Sequence, residues 1–116
     1  MIRRGGIYSV DLEPVQGSEA DKVGPAVVVS NDAANETADQ LRRGVVTVVP
    51  VTSNVQRVRP FQVLLRAGDT GLRVDSKAQA EQVRAIDVTR IGAQLGALSP
   101  ESLRHLDDAL RLHLDL

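Results

Sequence analysis

Two runs dense in β-branched residues constrain this chain more than anything else in it: AVVV at residues 26–29 and VVTVVPV at residues 45–51. Valine is stiff at χ1 and fits a pleated surface better than a helix. Gly24-Pro25, Asn31-Asp32 and Gly44 bound the two runs. Short, nearly continuous apolar runs between turn residues read as neighbouring strands covered on both faces. Each run ends in small polar groups, Ser30, Asn31 and Asp32 after the first and Thr52, Ser53 and Asn54 after the second. If the strands pair, these ends are expected to form a mouth of hydroxyls and amides near Ser18-Glu19, suited to a polar substrate.

Around this centre, residues 7–12 alternate with the period of a half-buried strand, which Pro14 ends. Residues 16–24 read as a polar, glycine-flanked loop. Asp32 is expected to cap a short helix or turn before Arg42. Residues 61–66 alternate again after Arg59-Pro60 and predict a strand, and residues 67–71 a turn. In residues 75–86 strand and helix patterns compete. Asp87 caps a single helical turn through Arg90, and residues 93–98 form an edge strand. Ser99-Pro100-Glu101 starts a helix, with Ser as N-cap, Pro in the first helical position and Glu near the positive end of the dipole. Leu103, Leu106, Leu110 and Leu114 follow at three- and four-residue steps, an apolar stripe for the sheet or for a second subunit. Many short strands with a terminal helix predict a mainly β architecture, a small and strongly bent β-barrel.

A length of 116 residues predicts one domain spanning 1–116. With aromatics at 2%, the core must be built from Val, Leu, Ile and Ala, and reading of single-stranded RNA by a row of stacked aromatic rings is disfavoured. The net charge of −1 and pI of about 6.1 provide no global basic field, so any RNA contact has to be local. Arg42, Arg43, Arg57, Arg59, Arg66, Arg73, Lys77 and Arg84 do cluster in mid-chain. The absence of cysteine excludes disulfide scaffolds, thiolate nucleophiles and cysteine metal sites. MIRRGGIYSV lacks an apolar signal core and no segment reaches membrane-spanning length, so a soluble, cytoplasmic protein without a membrane partner is expected.

Gly17-Ser18-Glu19, Pro25-Ala26-Val27-Val28-Val29-Ser30-Asn31-Asp32, Pro50-Val51-Thr52-Ser53, Asp75-Ser76 and Glu81-Gln82-Val83-Arg84-Ala85-Ile86-Asp87 occur in that order before the leucine-rich end. Together they resemble the MazF/PemK family of toxin endoribonucleases over nearly the whole chain. The resemblance implies a CcdB/MazF-type, SH3-like barrel, with residues 75–86 read as strand. It implies a type II toxin that cleaves single-stranded mRNA at specific sequences, without metal or other cofactor, to stop translation and growth. A homodimer with an RNA groove and a MazE-like antitoxin partner are implied as well. Thr52 matches the family's threonine, and Glu19 and Glu81 its carboxylates. Ser18, Ser53, Asn31, Gln82 and Arg84 would contact RNA.

One position departs. The family pattern has Arg directly before the proline of the first strand, and this chain has Gly24. A glycine supplies none of the planar, permanent charge that suits a phosphate. Three accounts stay open: a substitution introduced to disarm a toxic protein, a natural loss of activity, or another arginine such as Arg84 taking over. The intact surroundings of the motif favour the first. Metal-free RNA cleavage needs a base for the ribose 2′-hydroxyl, an acid for the leaving oxygen and groups that stabilise the phosphorane charge. His105 and His113 are the only histidines and read as solvated helix residues. No serine elbow and no phosphate-cradling glycine loop is present. The alternatives are a non-catalytic RNA- and antitoxin-binding domain and a protein-targeting toxin on the same fold.

Overall fold

The computed structural model describes residues 1–13, 17 and 23–116. Seven strands occur in the order β1 (Gly6–Asp11), β2 (Val23–Val28), β3 (Val45–Thr52), β4 (Gln62–Leu65), β5 (Ser76–Gln79), β6 (Arg84–Asp87) and β7 (Ile91–Ala97). Three helices accompany them: α1 (Asp32–Leu41), the single turn α2 (Ala67–Thr70) and the terminal α3 (Pro100–Leu114). All strand pairs are antiparallel, in the spatial order β4-β5-β3-β2-β1-β7, with β6 beside β5 on the same edge of β3. The expected mainly β architecture with a C-terminal helix is present, and its sheet stays open, with β4 and β7 at the ends of the path.

The valine runs are continuous because β2 and β3 are buried on both faces. Ala26, Val28, Val46 and Val48 pack with Tyr8, Val10, Ile86, Val88 and Ala38 of α1. Val27, Val49 and Val51, on the opposite face, pack with Ile7, Leu65, Ala78 and the α3 residues Leu106 and Ala109. Alternation along each strand sends successive side chains into these two cores. The α3 stripe is therefore used unevenly: Leu106 is fully buried, whereas Leu114 is 48% exposed. Ser99 caps α3 as expected, its hydroxyl accepting from Ser102 N at 3.1 Å.

Three local readings are corrected. The N-cap of α1 is Asn31, not Asp32: its Oδ1 accepts from Ala34 N at 2.8 Å, and of the expected short helix or turn before Arg42 it is a helix, of ten residues, that forms. Residues 75–86 are not one strand, because a 3₁₀ turn at Ala80–Gln82 separates β5 from β6. That turn lets consecutive strands pair with different parts of β3, β5 with Val51 and Thr52 and β6 with residues 45–48. Residues 67–71 form one turn of helix closed by Gly71 at φ 85°, a left-handed conformation that glycine tolerates. The turn after Asp87 and the edge strand β7 are as expected, β7 beginning two residues earlier. Pro14 and most of residues 16–24 lie outside the described residues.

Asp32, in the first position of α1, accepts from Arg4 N at 2.7 Å and from Asn35 Nδ2 at 3.3 Å. The Arg4 amide, aided by Asn35, holds its carboxyl below the ordinary aspartate value. A lowered folded-state pKa adds stability above the unfolded value of about 3.9, and that contribution is lost as pH falls through the lower folded value. The stability difference between the parent and Asp32→Asn is therefore expected to be full at pH 7 and to shrink only below about pH 4. Urea midpoints across that range check it; a difference that grows on acidification contradicts it.

Candidate functional site

Strand register decides which of the expected residues meet. The β2–β3 ladder runs Val28↔Val48, Val27↔Val49 and Ala26↔Pro50. Continued by two residues, it sets Gly24 against Thr52. On its other side Gly24 faces Val10 of β1, and Thr52 faces Lys77 of β5, which in turn faces Leu64 of β4. Opposite residues on antiparallel strands share a face. Thr52 and Lys77 are thus paired neighbours, and Gly24 comes into line with them by extension of the β2–β3 ladder past its last pair, on the face that also buries Val10 and Val48.

The mouth expected from both run ends is corrected by the same register. Antiparallel pairing sends the end of β2 to the start of β3: Val29 N and Ser30 N donate to Thr47 O at 2.9 and 3.4 Å. Gly24 to Val28 alone spans about 13 Å at the rise of a strand. Asn31 lies beyond Val28 and is occupied as the α1 cap. Ser30 joins a polar knot in which its Oγ accepts from Thr47 N at 3.0 Å and contacts Asn35 Oδ1 at 2.5 Å. The basic cluster divides too. Arg42 and Arg43 precede the start of β3, while Arg57, Arg59 and Lys77 belong to its far end.

At that far end, Thr52 is partly exposed and its Oγ1 accepts from Asn54 N at 3.2 Å, so the hydroxyl proton remains to be donated elsewhere. Ser53 is exposed. Glu81 and Gln82 sit in the 3₁₀ turn after β5, both half-buried. Glu81 Oε2 accepts from Gln62 Nε2 at 2.6 Å, and Glu81 Oε1 is buried without a hydrogen-bond partner among the described residues. Arg84 opens β6 across from Val48, which puts it on the Gly24–Thr52 face, and its Nη1 donates to Leu12 O at 3.0 Å. Ser18 and Glu19 lie outside the described residues. Lys77 entered the sequence reading only as one member of the mid-chain basic cluster, and Gln62 did not enter it as a site residue. A lone lysine in the four-residue strand SKAQ was the only signal for the first, and nothing local marked the second.

No backbone feature demands glycine at position 24. Among the described residues a Cβ built there meets nothing within 4 Å, and its φ lies outside the left-handed region. Gly96 is different, since a Cβ there would fall 2.1 Å from Thr70 O. Both histidines are exposed on α3, and the His113 ring lies 6.3 Å from that of Phe61. Among the described residues no three His, Asp or Glu side chains group to hold a metal ion, and no helix is long and apolar enough to cross a membrane.

With this geometry in view, residues 3–114 match the model for the PemK-like, MazF-like toxin of type II toxin–antitoxin systems. The chain belongs to that family. It is 61% identical over 116 residues to Endoribonuclease MazF9 of Mycobacterium tuberculosis, covering 100% of this chain and 98% of that protein. The crystal structure of MazF from Deinococcus radiodurans superposes with a TM-score of 0.80 at 27% identity, over 98% of this chain and 96% of that one. The MazF-type fold expected from the motifs is thereby established. A MazE–MazF crystal structure from the same organism matches at 26% identity with a TM-score of 0.69, covering 100% of this chain and 99% of the other.

Proposed function

We propose that this chain is the toxin of a type II toxin–antitoxin system, an endoribonuclease that cuts single-stranded mRNA at specific sequences in the cytoplasm without metal. Residues 1–116 act as one domain. The observation that carries the reading is the pairing of Thr52 with Lys77 at the end of β3, toward which an extension of the β2–β3 ladder brings position 24, in a chain 61% identical to an endoribonuclease. Thr52 donates its free hydroxyl proton to a phosphate oxygen. Glu19 and Glu81 are the two carboxylates for taking the 2′-hydroxyl proton, Glu81 only once its Oε1, buried and without a partner among the described residues, is uncovered by the bound RNA. Ser53, Gln82 and Ser18 donate to the RNA, and Arg84 adds positive charge on the same face.

Gly24 leaves the phosphorane charge short of a guanidinium, so binding survives better than cutting. That one position also supports the second reading, a domain that holds RNA and antitoxin without cleaving. Exposed Leu112, which lines a groove of about 440 Å³ between β4 and α3, and exposed Leu114 and Leu116 further along the chain support a homodimer through the C-terminal end. The antitoxin, MazE-like, lays an extended acidic tail over the cations near Thr52.

Fluorescent single-stranded RNA tests the reading. The chain should bind it more weakly as salt rises, release it to an acidic antitoxin peptide, and cut it slowly in EDTA to products ending in a 2′,3′-cyclic phosphate. Binding with no cutting under any condition would select the non-catalytic reading. Absence of binding would remove both.

A further inference from the structure

Residues 53–61, between β3 and β4, contain neither strand nor helix, and most of them are exposed. Side chains nevertheless take up their backbone groups one after another. Thr52 Oγ1 accepts from Asn54 N at 3.2 Å, and Asn54 Oδ1 from Gln56 N at 3.3 Å. Lys77 Nζ reaches across from β5 to donate to Arg57 O at 2.6 Å. Gln62 Oε1 accepts from Arg59 N at 3.0 Å, while its own amide is held by Glu81 at 2.6 Å.

The Lys77 contact differs from ordinary turn chemistry, and the Gln62 side chain adds a second bond to a turn that Gln62 N already closes by donating to Arg59 O at 2.9 Å. Lys77 is only 9% exposed, and taking an ammonium out of water is costly. An exposed carbonyl such as that of Arg57 is satisfied by water at no such cost. A small or apolar residue opposite Thr52 would serve packing better than a lysine. What the two struts do accomplish is to hold the peptide groups of Arg57 and Arg59, two exposed guanidinium-bearing residues with no ion pair shown among the described residues. Both follow Thr52 within one short loop.

We infer that Lys77, and Gln62 held by Glu81, are positioning residues that fix this loop so that Arg57 and Arg59 bind RNA phosphates beside Thr52. The inference rests on the nuclease reading above. Lys77 spends one donor on the protein's own carbonyl and acts through the arginines. Glu81, on this account, orients Gln62 with Oε2 whatever Oε1 does in the reaction. Holding the loop in its bound shape removes an ordering cost at the moment of binding.

The test is a double-mutant cycle on RNA affinity as a function of salt. For single strands each phosphate contact contributes about 0.7 to the slope of log affinity against log salt. The Arg57→Ala/Arg59→Ala pair is expected to lower the slope by about 1.4. Lys77→Met should lose most of the same slope, Lys77→Arg should restore part of it, and Gln62→Leu should weaken binding in the same salt-dependent way. Added to the arginine pair, Lys77→Met should then have almost no further effect, since coupled residues are not additive. Amide exchange in the unliganded protein should rise at Gln56 and Arg59 in Lys77→Met and Gln62→Leu.

Additive losses would make Lys77 a direct phosphate ligand and overturn the positioning role. Unchanged exchange together with unchanged affinity would make both struts structural ornaments and overturn it as well. A parent protein that binds no RNA would defeat the nuclease reading and this inference together, a result distinct from either.

Discussion

The Gly24→Arg protein is expected to cut single-stranded RNA about a hundred to a thousand times faster than the chain as it stands, since one group stabilising transition-state charge contributes roughly 2.7–4 kcal/mol. The geometry favours the gain. Position 24 is in β2, faces Val10, and by continuation of the β2–β3 register stands against Thr52. Among the described residues, nothing lies within 4 Å of a Cβ built there. Pro25 biases the preceding residue toward extended backbone, which β2 already provides. The arginine should therefore add its charge without disturbing the core, and stability should stay within about 0.5 kcal/mol of the parent, as for most surface substitutions.

Two companion variants locate the effect. Thr52→Val in the Gly24→Arg background should remove most of the regained rate, while Arg84→Ala should weaken binding more than it slows cutting. Arg84 already donates to Leu12 O, on the side of the sheet where β1 ends. Full-speed cutting by the parent, no gain from Gly24→Arg and collapse in Arg84→Ala would show that Arg84 has replaced the missing group.

The second large effect concerns the fold. Leu106→Ala is expected to cost about 2–5 kcal/mol, measured as a fall in the urea midpoint at unchanged m-value. Leu106 is fully buried, in the cluster that joins α3 to Ile7, Val27, Val49 and Leu65. Its truncation removes apolar contacts from both the helix and the sheet and leaves a cavity that a β-sheet cannot close by a small shift. Against a total stability of about 5–15 kcal/mol for a domain of this kind, the loss is large. Leu114→Ala, at a side chain already 48% exposed, should cost little within one chain. A larger, concentration-dependent loss at Leu114 would report a second subunit covering it. If Leu106→Ala cost no more than Leu114→Ala, the packing of α3 on the sheet would be wrong.

Much of this was legible in the residues themselves. The valine runs specified β2 and β3 because few other structures accept such density of β-branched side chains. Ser99-Pro100-Glu101 specified the start of α3, since capping is a local matter of one side chain and three amides. The order of short motifs identified the family, and the resemblance directed attention to Thr52 and Gly24. What the residues left open was non-local. A strand buried on both faces lacks the period-two alternation that marks a face, so nothing within either valine run says which of its ends meets which. The antiparallel register decided that Thr52 stands with Lys77, at the end of β3 toward which the start of β2 runs, and that Asn31 stands at the opposite end as a helix cap. Lys77 acquires its meaning from Arg57, 20 residues away, and Gln62 from Glu81, 19 residues away, separations that only the folded sheet brings within hydrogen-bond reach.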